Sequence, residues 1–126
     1  MHLYRSRVCA RNLSRGTILG DCVRVAESGL SRIVGLLGER KLTPGDGLLI
    51  VPSQGVHTLG MLFPIDVLIL DNDWKVLCVR KRMRPFLVTR IYFRAAAVLE
   101  LPPGTVEHSG TCVGDRVEFA RIHEPS

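Results

Sequence analysis

The sequence predicts a mostly-β single domain, a compact sandwich or distorted barrel of about eight short strands with one packed α-helix. Three observations carry that prediction. Short continuous apolar runs such as residues 48–51 (LLIV) and 67–70 (VLIL) are bounded by turn residues and rich in branched side chains, which suits buried strands better than helices. Pro52 and Pro64 interrupt the apolar stretch, and a residue that donates nothing to a sheet ladder belongs at strand ends or edges. Sustained helical periodicity occurs once, at residues 28–38.

Taken in order, residues 4–12 read as a strand, residues 12–16 as a turn, and residues 17–25 as a second strand that pairs with the first in a hairpin. The period then changes. Leu30, Ile33, Val34 and Leu37 recur at i, i+3, i+4 and i+7, with Ser28 as N-cap and Gly38 as stop. Residues 39–46 form a polar loop with a Pro44-Gly45 turn that delivers the chain to the central stretch, 48–79. There the 48–51 strand is followed by a strand at 56–61. Residues 67–70 and 75–79 pair as a hairpin across Asp71-Asn72-Asp73. Strand twist requires a positive φ in that loop, which Asn72 or Asp73 tolerates and which would strain Trp74. Beyond it, a basic hairpin loop leads to a buried strand at 95–101. A helical turn capped by Thr105 and closed by Gly110 follows, then a half-buried closing strand at 116–122.

At 126 residues the chain has the length of one ordinary domain, and 1–126 is read as such. Its 46% hydrophobic and 23% charged residues fall in the globular range and argue against disorder. No apolar run reaches the roughly 18–20 residues that span a bilayer. The first residues, MHLYRSRV, lack the apolar region of a signal peptide, so a cytoplasmic protein is expected. A net charge of +5 permits an anionic partner without demanding one. Cys9, Cys22, Cys78 and Cys112 form no CxxC pair, and Cys9 and Cys78 fall in apolar strand runs. They read as small buried hydrophobes, with a disulfide among them as the open alternative, and the spacing argues against a zinc site. No resident metal or cofactor is expected.

The motifs Val56-His57-Thr58-Leu59-Gly60-Met61, Phe63-Pro64-Ile65-Asp66-Val67 and Asp71, with Pro52 before them, resemble the signature of the domain of unknown function 192 family. Upstream matches at Arg32, Gly35-Leu36-Leu37 and Gly47-Leu48-Leu49-Ile50 support the resemblance. So do Val98-Leu99-Glu100-Leu101-Pro102, Gly104 and Gly114-Asp115 downstream. The similarity runs over residues 10–119 and implies a small, mostly-β fold, with no catalytic residues to carry over. The chain departs from the family pattern at Ser53, Leu59, Leu62 and Trp74.

Phosphate-loop and nucleophile-elbow motifs are missing. What remains is His57, Thr58, Asp66 and Glu100, with Arg32 as a guanidinium able to clamp an oxyanion. A carboxylate beside an imidazole orients the ring and raises its pKa, so a meeting of His57 and Asp66 would make an acid–base pair. The structural alternative is that Asp66 accepts backbone N–H groups at the start of its strand while His57 bonds a neighbouring strand. Glu100, set among Val98, Leu99 and Leu101, needs an arginine or His57 as partner if it is buried. The leading expectation is a non-catalytic module that binds a polar or anionic small molecule near His57, Asp66 and Glu100. An enzyme using the same groups as acid and base is the alternative. A second alternative is a weak nucleic-acid binder acting through Arg80, Lys81, Arg82, Arg84 and Arg90, interleaved with Phe86, Tyr92 and Phe93. Against that stands the ordinary reading of a basic run as a solvated face. Oligomeric state is not legible.

Overall fold

The short apolar runs become one curled sheet in the computed structural model, which describes residues 7–26, 42–52, 63–84 and 92–122. Among these residues seven strands and one short helix follow in chain order. They are β1 (Arg7–Asn12), β2 (Thr17–Ala26), β3 (Asp46–Ile50), β4 (Ile65–Leu70), β5 (Val76–Met83), β6 (Ala97–Leu101), α1 (Thr105–Ser109) and β7 (Val117–Arg121). The strands lie side by side in the order β5-β4-β6-β3-β2-β1-β7. Every neighbouring pair is antiparallel except β2 and β3, which run parallel. The helix expected at 28–38 and the strand expected at 56–61 lie outside the described residues.

The sheet curls until its edges meet at one end. An isolated bridge joins Lys75 to Arg116. Beside it, the Val76 N–H donates to the Asp115 carbonyl at 2.8 Å, Gly114 N–H to the Val76 carbonyl at 2.8 Å, and Val117 N–H to the Trp74 carbonyl at 2.9 Å. The result is a half-barrel with two packed faces. Val8, Ala10, Val23, Leu49, Leu68, Val76, Leu99, Val106 and Val117 share one apolar cluster drawn from both edges, which makes it the inside of the curl. Ala26, Leu48, Ile50, Ile65, Val67, Ile69, Met83 and Val98 form the second cluster, on the outer face. β4 and β6 stand between the two, and all their residues are buried. That explains why they read as unbroken apolar runs rather than alternating ones.

Three expectations change. Residues 80–82 lie in strand β5 rather than in a hairpin loop. Thr105 is the first residue of α1, and the N-cap is Gly104 at φ 95°, with no side-chain cap. Gly110 closes the helix as expected, at φ 73°. In the β4–β5 turn the positive φ falls on Trp74, at 61°, and not on Asn72 or Asp73. Asp71 organises that turn, its Oδ1 accepting the N–H groups of Asp73 at 2.8 Å and Lys75 at 2.9 Å. A left-handed conformation costs a non-glycine residue about 1–2 kcal/mol. Trp74 offsets it because its ring meets Phe119 edge-on, with centroids 4.9 Å apart, and its carbonyl closes the barrel edge.

All four cysteines are free thiols; Cys9, Cys22 and Cys78 are half-buried rather than fully buried, and Cys112 is exposed. Among the described residues no helix is long and apolar enough to cross a membrane.

The Trp74–Phe119 contact predicts a coupling energy of about 0.5–1.5 kcal/mol in a double-mutant cycle of Trp74→Ala and Phe119→Ala, read from urea unfolding. Strict additivity of the two losses would show that the ring contact does not secure the edge.

Candidate functional site

Asp66 and Glu100 are both fully buried, at 0% exposure, on adjacent central strands. Their side chains nevertheless leave opposite faces of the sheet. Val67 pairs with Glu100 and Asp66 with Leu101, and residues directly opposite share a face while neighbours along a strand alternate. Glu100 therefore joins Val67 and Leu48 on the outer face, and Asp66 joins Leu68 and Leu101 on the inner one.

The surroundings of Asp66 account for it completely. Its Oδ1 accepts the Arg82 N–H at 2.8 Å, and its Oδ2 accepts the N–H groups of Gly104 at 3.1 Å and Val106 at 2.9 Å. Arg82 lies in a bulge where β5 carries an extra residue between the pairs Ile65–Met83 and Val67–Arg80, and its φ is 51°. Gly104 and Val106 belong to the tight turn that opens α1. A bulge and a helix start each leave backbone donors without a partner, and one carboxylate takes three of them. This backbone cradle matches the structural alternative for Asp66, while the pairing of Asp66 with His57 falls partly outside the described residues. His57, Thr58, Arg32 and Arg90 lie outside the described residues.

Glu100 is placed differently. Pairing runs from Arg24 on β2 to Leu48 on β3, to Glu100 on β6, to Val67 on β4 and to Arg80 on β5. A row of one acid flanked by two arginines thus crosses the outer face. Arg24 is half-buried and stands two strands from Glu100, a backbone separation of about 9–10 Å, which an arginine side chain can span. Arg80 is exposed, and its Nη2 lies 3.4 Å from the Tyr92 hydroxyl, itself 3.2 Å from Cys78 Sγ. The rest of the basic run is exposed along β5 and just after it: Lys81, Arg82 and Arg84.

One buried polar cluster was not legible as a unit in the sequence. Asn12 donates from Nδ2 to Thr111 Oγ1 at 2.9 Å and to Asp115 Oδ2 at 3.0 Å. Arg15 Nε and the Cys112 N–H reach the same Asp115 oxygen at 3.0 and 2.9 Å. Burial pushes the Asp115 carboxyl up, but the hydrogen bonds from Asn12, Arg15 and Cys112, with the Arg15 charge, outweigh it and hold the group below its ordinary value. The cluster ties the β1–β2 turn to the loop before β7. Among the described residues no group of three or more His, Cys, Asp or Glu is placed to hold a metal.

Two outcomes follow. Asp66→Asn keeps the shape but loses the charge that three N–H groups address, and is expected to lower unfolding stability by about 2–4 kcal/mol in urea; a loss within ordinary surface-mutation range would refute the cradle. For Asp115 the folded pKa lies below the unfolded one. Its contribution is therefore present above an unfolded value of about 3.9 and lost as pH falls through the folded value. Asp115→Asn is expected to flatten that acid limb of the melting temperature, and an unchanged limb would contradict the assignment.

Comparison with known proteins agrees with the fold. A crystal structure of a proposed transcription regulator from Sinorhizobium meliloti 1021 is similar at TM-score 0.76 and 26% identity, over 94% of this chain and 97% of that one. A crystal structure of a protein of unknown function from Novosphingobium aromaticivorans DSM 12444 is similar at TM-score 0.73 and 20% identity, over 89% of this chain and 83% of that one, a likeness of fold. No curated protein matches. The DUF192 family, described as an uncharacterized ACR, matches residues 11–119, and the chain belongs to that family.

Proposed function

We propose that the chain is a non-catalytic binding module for a small polar or anionic molecule, held on the outer sheet face that carries Glu100 and Arg24. The observation that carries this reading is the buried Glu100, at 0% exposure between Leu48 and Val67. A carboxylate and a guanidinium in one cross-strand row put opposite charges on a single, otherwise apolar face, which supports a role in holding a polar molecule. Asp66, the other buried acid of the central strands, answers to backbone geometry and is left out of the proposed site. An acid beside an arginine in one cross-strand row suits a ligand with a hydroxyl or amine for Glu100 and an anionic group for Arg24. His57, Thr58 and Arg32 enter as further ligand groups on the sequence argument alone. The backbone bonds to both Asp66 oxygens favour the binding reading over the enzyme alternative, which needs Asp66 as one half of an acid–base pair.

Native mass spectrometry of the freshly purified chain tests this, alongside thermal shifts with phosphate, sulfate, small hydroxy acids and amino acids. The expected result is a retained small mass, or a stabilising compound from that panel, that Glu100→Gln abolishes while the variant still melts cooperatively. A bare mass with no stabilising compound, or retention unaffected by Glu100→Gln, would contradict the reading.

A further inference from the structure

Besides Arg80, which also stands in the Glu100 row, the terminal strand β5 carries chemistry that the small-ligand reading does not use. Among the described residues β5 is the terminal strand of the sheet order, joined across to the β7 side at its start by the Lys75–Arg116 bridge and the bonds to Val76. The edge beyond that point bears Arg80, Lys81 and Arg82, with Arg84 directly after the strand, all exposed. Charged residues on a terminal strand also discourage edge-to-edge aggregation, so the basic row alone does not identify a partner. Two further features do.

The first is the way the Asp66 cradle aims the cations. Arg80 and Met83 pair with Val67 and Ile65 and so face outward, with Met83 packed into the outer cluster. The bulge, held by the bond from Arg82 N–H to Asp66, turns Arg82 toward the α1 side, where its Nη2 lies 4.0 Å from Glu107 Oε2. Both members of that pair are well exposed, at 63% and 67%, and such a pair holds its partners weakly. The cations thus fan around the edge on both sides instead of lining one face. A compact anion meets one or two of them, whereas a linear polyanion following the edge meets all.

The second is aromatic. Tyr92 is fixed beside the edge through its hydroxyl, 3.4 Å from Arg80 Nη2, and the next residue, Phe93, is 91% exposed, followed by an exposed Arg94. Edge protection explains the cations but not a phenylalanine 91% exposed next to them. Phosphates met by arginine and lysine, with an aromatic face for a base to stack on, is the combination that single-stranded nucleic acid requires. A duplex keeps its bases stacked on one another and has no use for the ring.

We propose that the β5 edge binds single-stranded RNA or DNA, phosphates on Arg80, Lys81, Arg82 and Arg84 and a base on Phe93. This stands apart from the small-ligand reading, and Glu100→Gln is expected to leave it intact. The test is fluorescence anisotropy of the full chain with labelled oligo(dT) and oligo(U) of roughly twelve nucleotides, within the site sizes of simple single-strand binders, across a salt series. The edge variant is Arg80→Gln, Lys81→Gln and Arg82→Asn together, asparagine being chosen because it tolerates the left-handed backbone at that position. Arg11→Gln, Arg116→Gln and Arg121→Gln remove the same charge from exposed sites on and beside β1 and β7, and thermal melts check the fold of each variant. The edge variant should weaken binding and reduce the salt slope by about 2, near 0.7 per lost phosphate contact, while the control retains affinity. Phe93→Ala should weaken binding roughly fivefold or more with the slope unchanged, because stacking releases no counterions. Its ring is exposed, so this variant carries the test alone if the edge variant melts early. Equal losses from the edge and control variants, no binding at about 50 mM salt, or a duplex bound as tightly as single strands with Phe93→Ala silent, would each overturn the proposal.

Discussion

The Asp66 carboxylate takes backbone N–H groups from Arg82, Gly104 and Val106, three donors that lie sixteen, thirty-eight and forty residues away along the chain. Without it, the β5 bulge and the first turn of α1 would each present donors to a protein interior, where an orphaned N–H costs about as much as a lost hydrogen bond. With it, α1 is held against the inner face, Val106 enters the core of the curl, and β5 bends so that its cations spread around the edge. One charge therefore sets the helix, the inner packing and the aim of the edge strand together. Pro64 immediately before β4 and the Pro102-Pro103-Gly104 turn after β6 bring the acceptor and two of its donors to the same end of neighbouring strands.

Two buried carboxylates on adjacent strands have different physical standing because of a single step in register. Asp66 faces inward and is consumed by architecture. Glu100 pairs with the residue after it and faces the other way, in a row that also contains Arg24 and Arg80. A site drawn from sequence proximity to strand ends put both acids together; strand alternation sets them on opposite faces of the sheet.

The β-elements were legible because burial on both faces writes itself into the sequence as short branched runs, as at IDVLIL and AVLEL. The β1–β2 and β4–β5 hairpins followed from turn residues flanked by such runs. What escaped was decided by contacts distant in sequence. Local propensity assigns the positive φ to Asn72 or Asp73, yet packing against Phe119 forty-five residues on places it at Trp74. Asn12 reads as a turn residue and Asp115 as another; only the fold joins them, 103 positions apart, with Thr111 and Arg15 around them. For Asp66 the structural role was legible as one of two choices. The identity of its partners was not, since a backbone N–H leaves no mark on the sequence. Thr105 failed as a cap because Gly104 bends the chain and Asp66 supplies the acceptor that a capping side chain would have provided.

Amide hydrogen exchange at Arg82, Gly104 and Val106 tests the account most directly, because these donors belong to an edge-strand bulge and a short helix start that would ordinarily open locally. If the Asp66 carboxylate joins them to the core, their protection should approach that of the central amides of β4 and β6 and fall together, as a unit, in Asp66→Asn. Fast exchange at all three in the unaltered chain, or protection that survives the substitution, would contradict the claim that this carboxylate organises the fold.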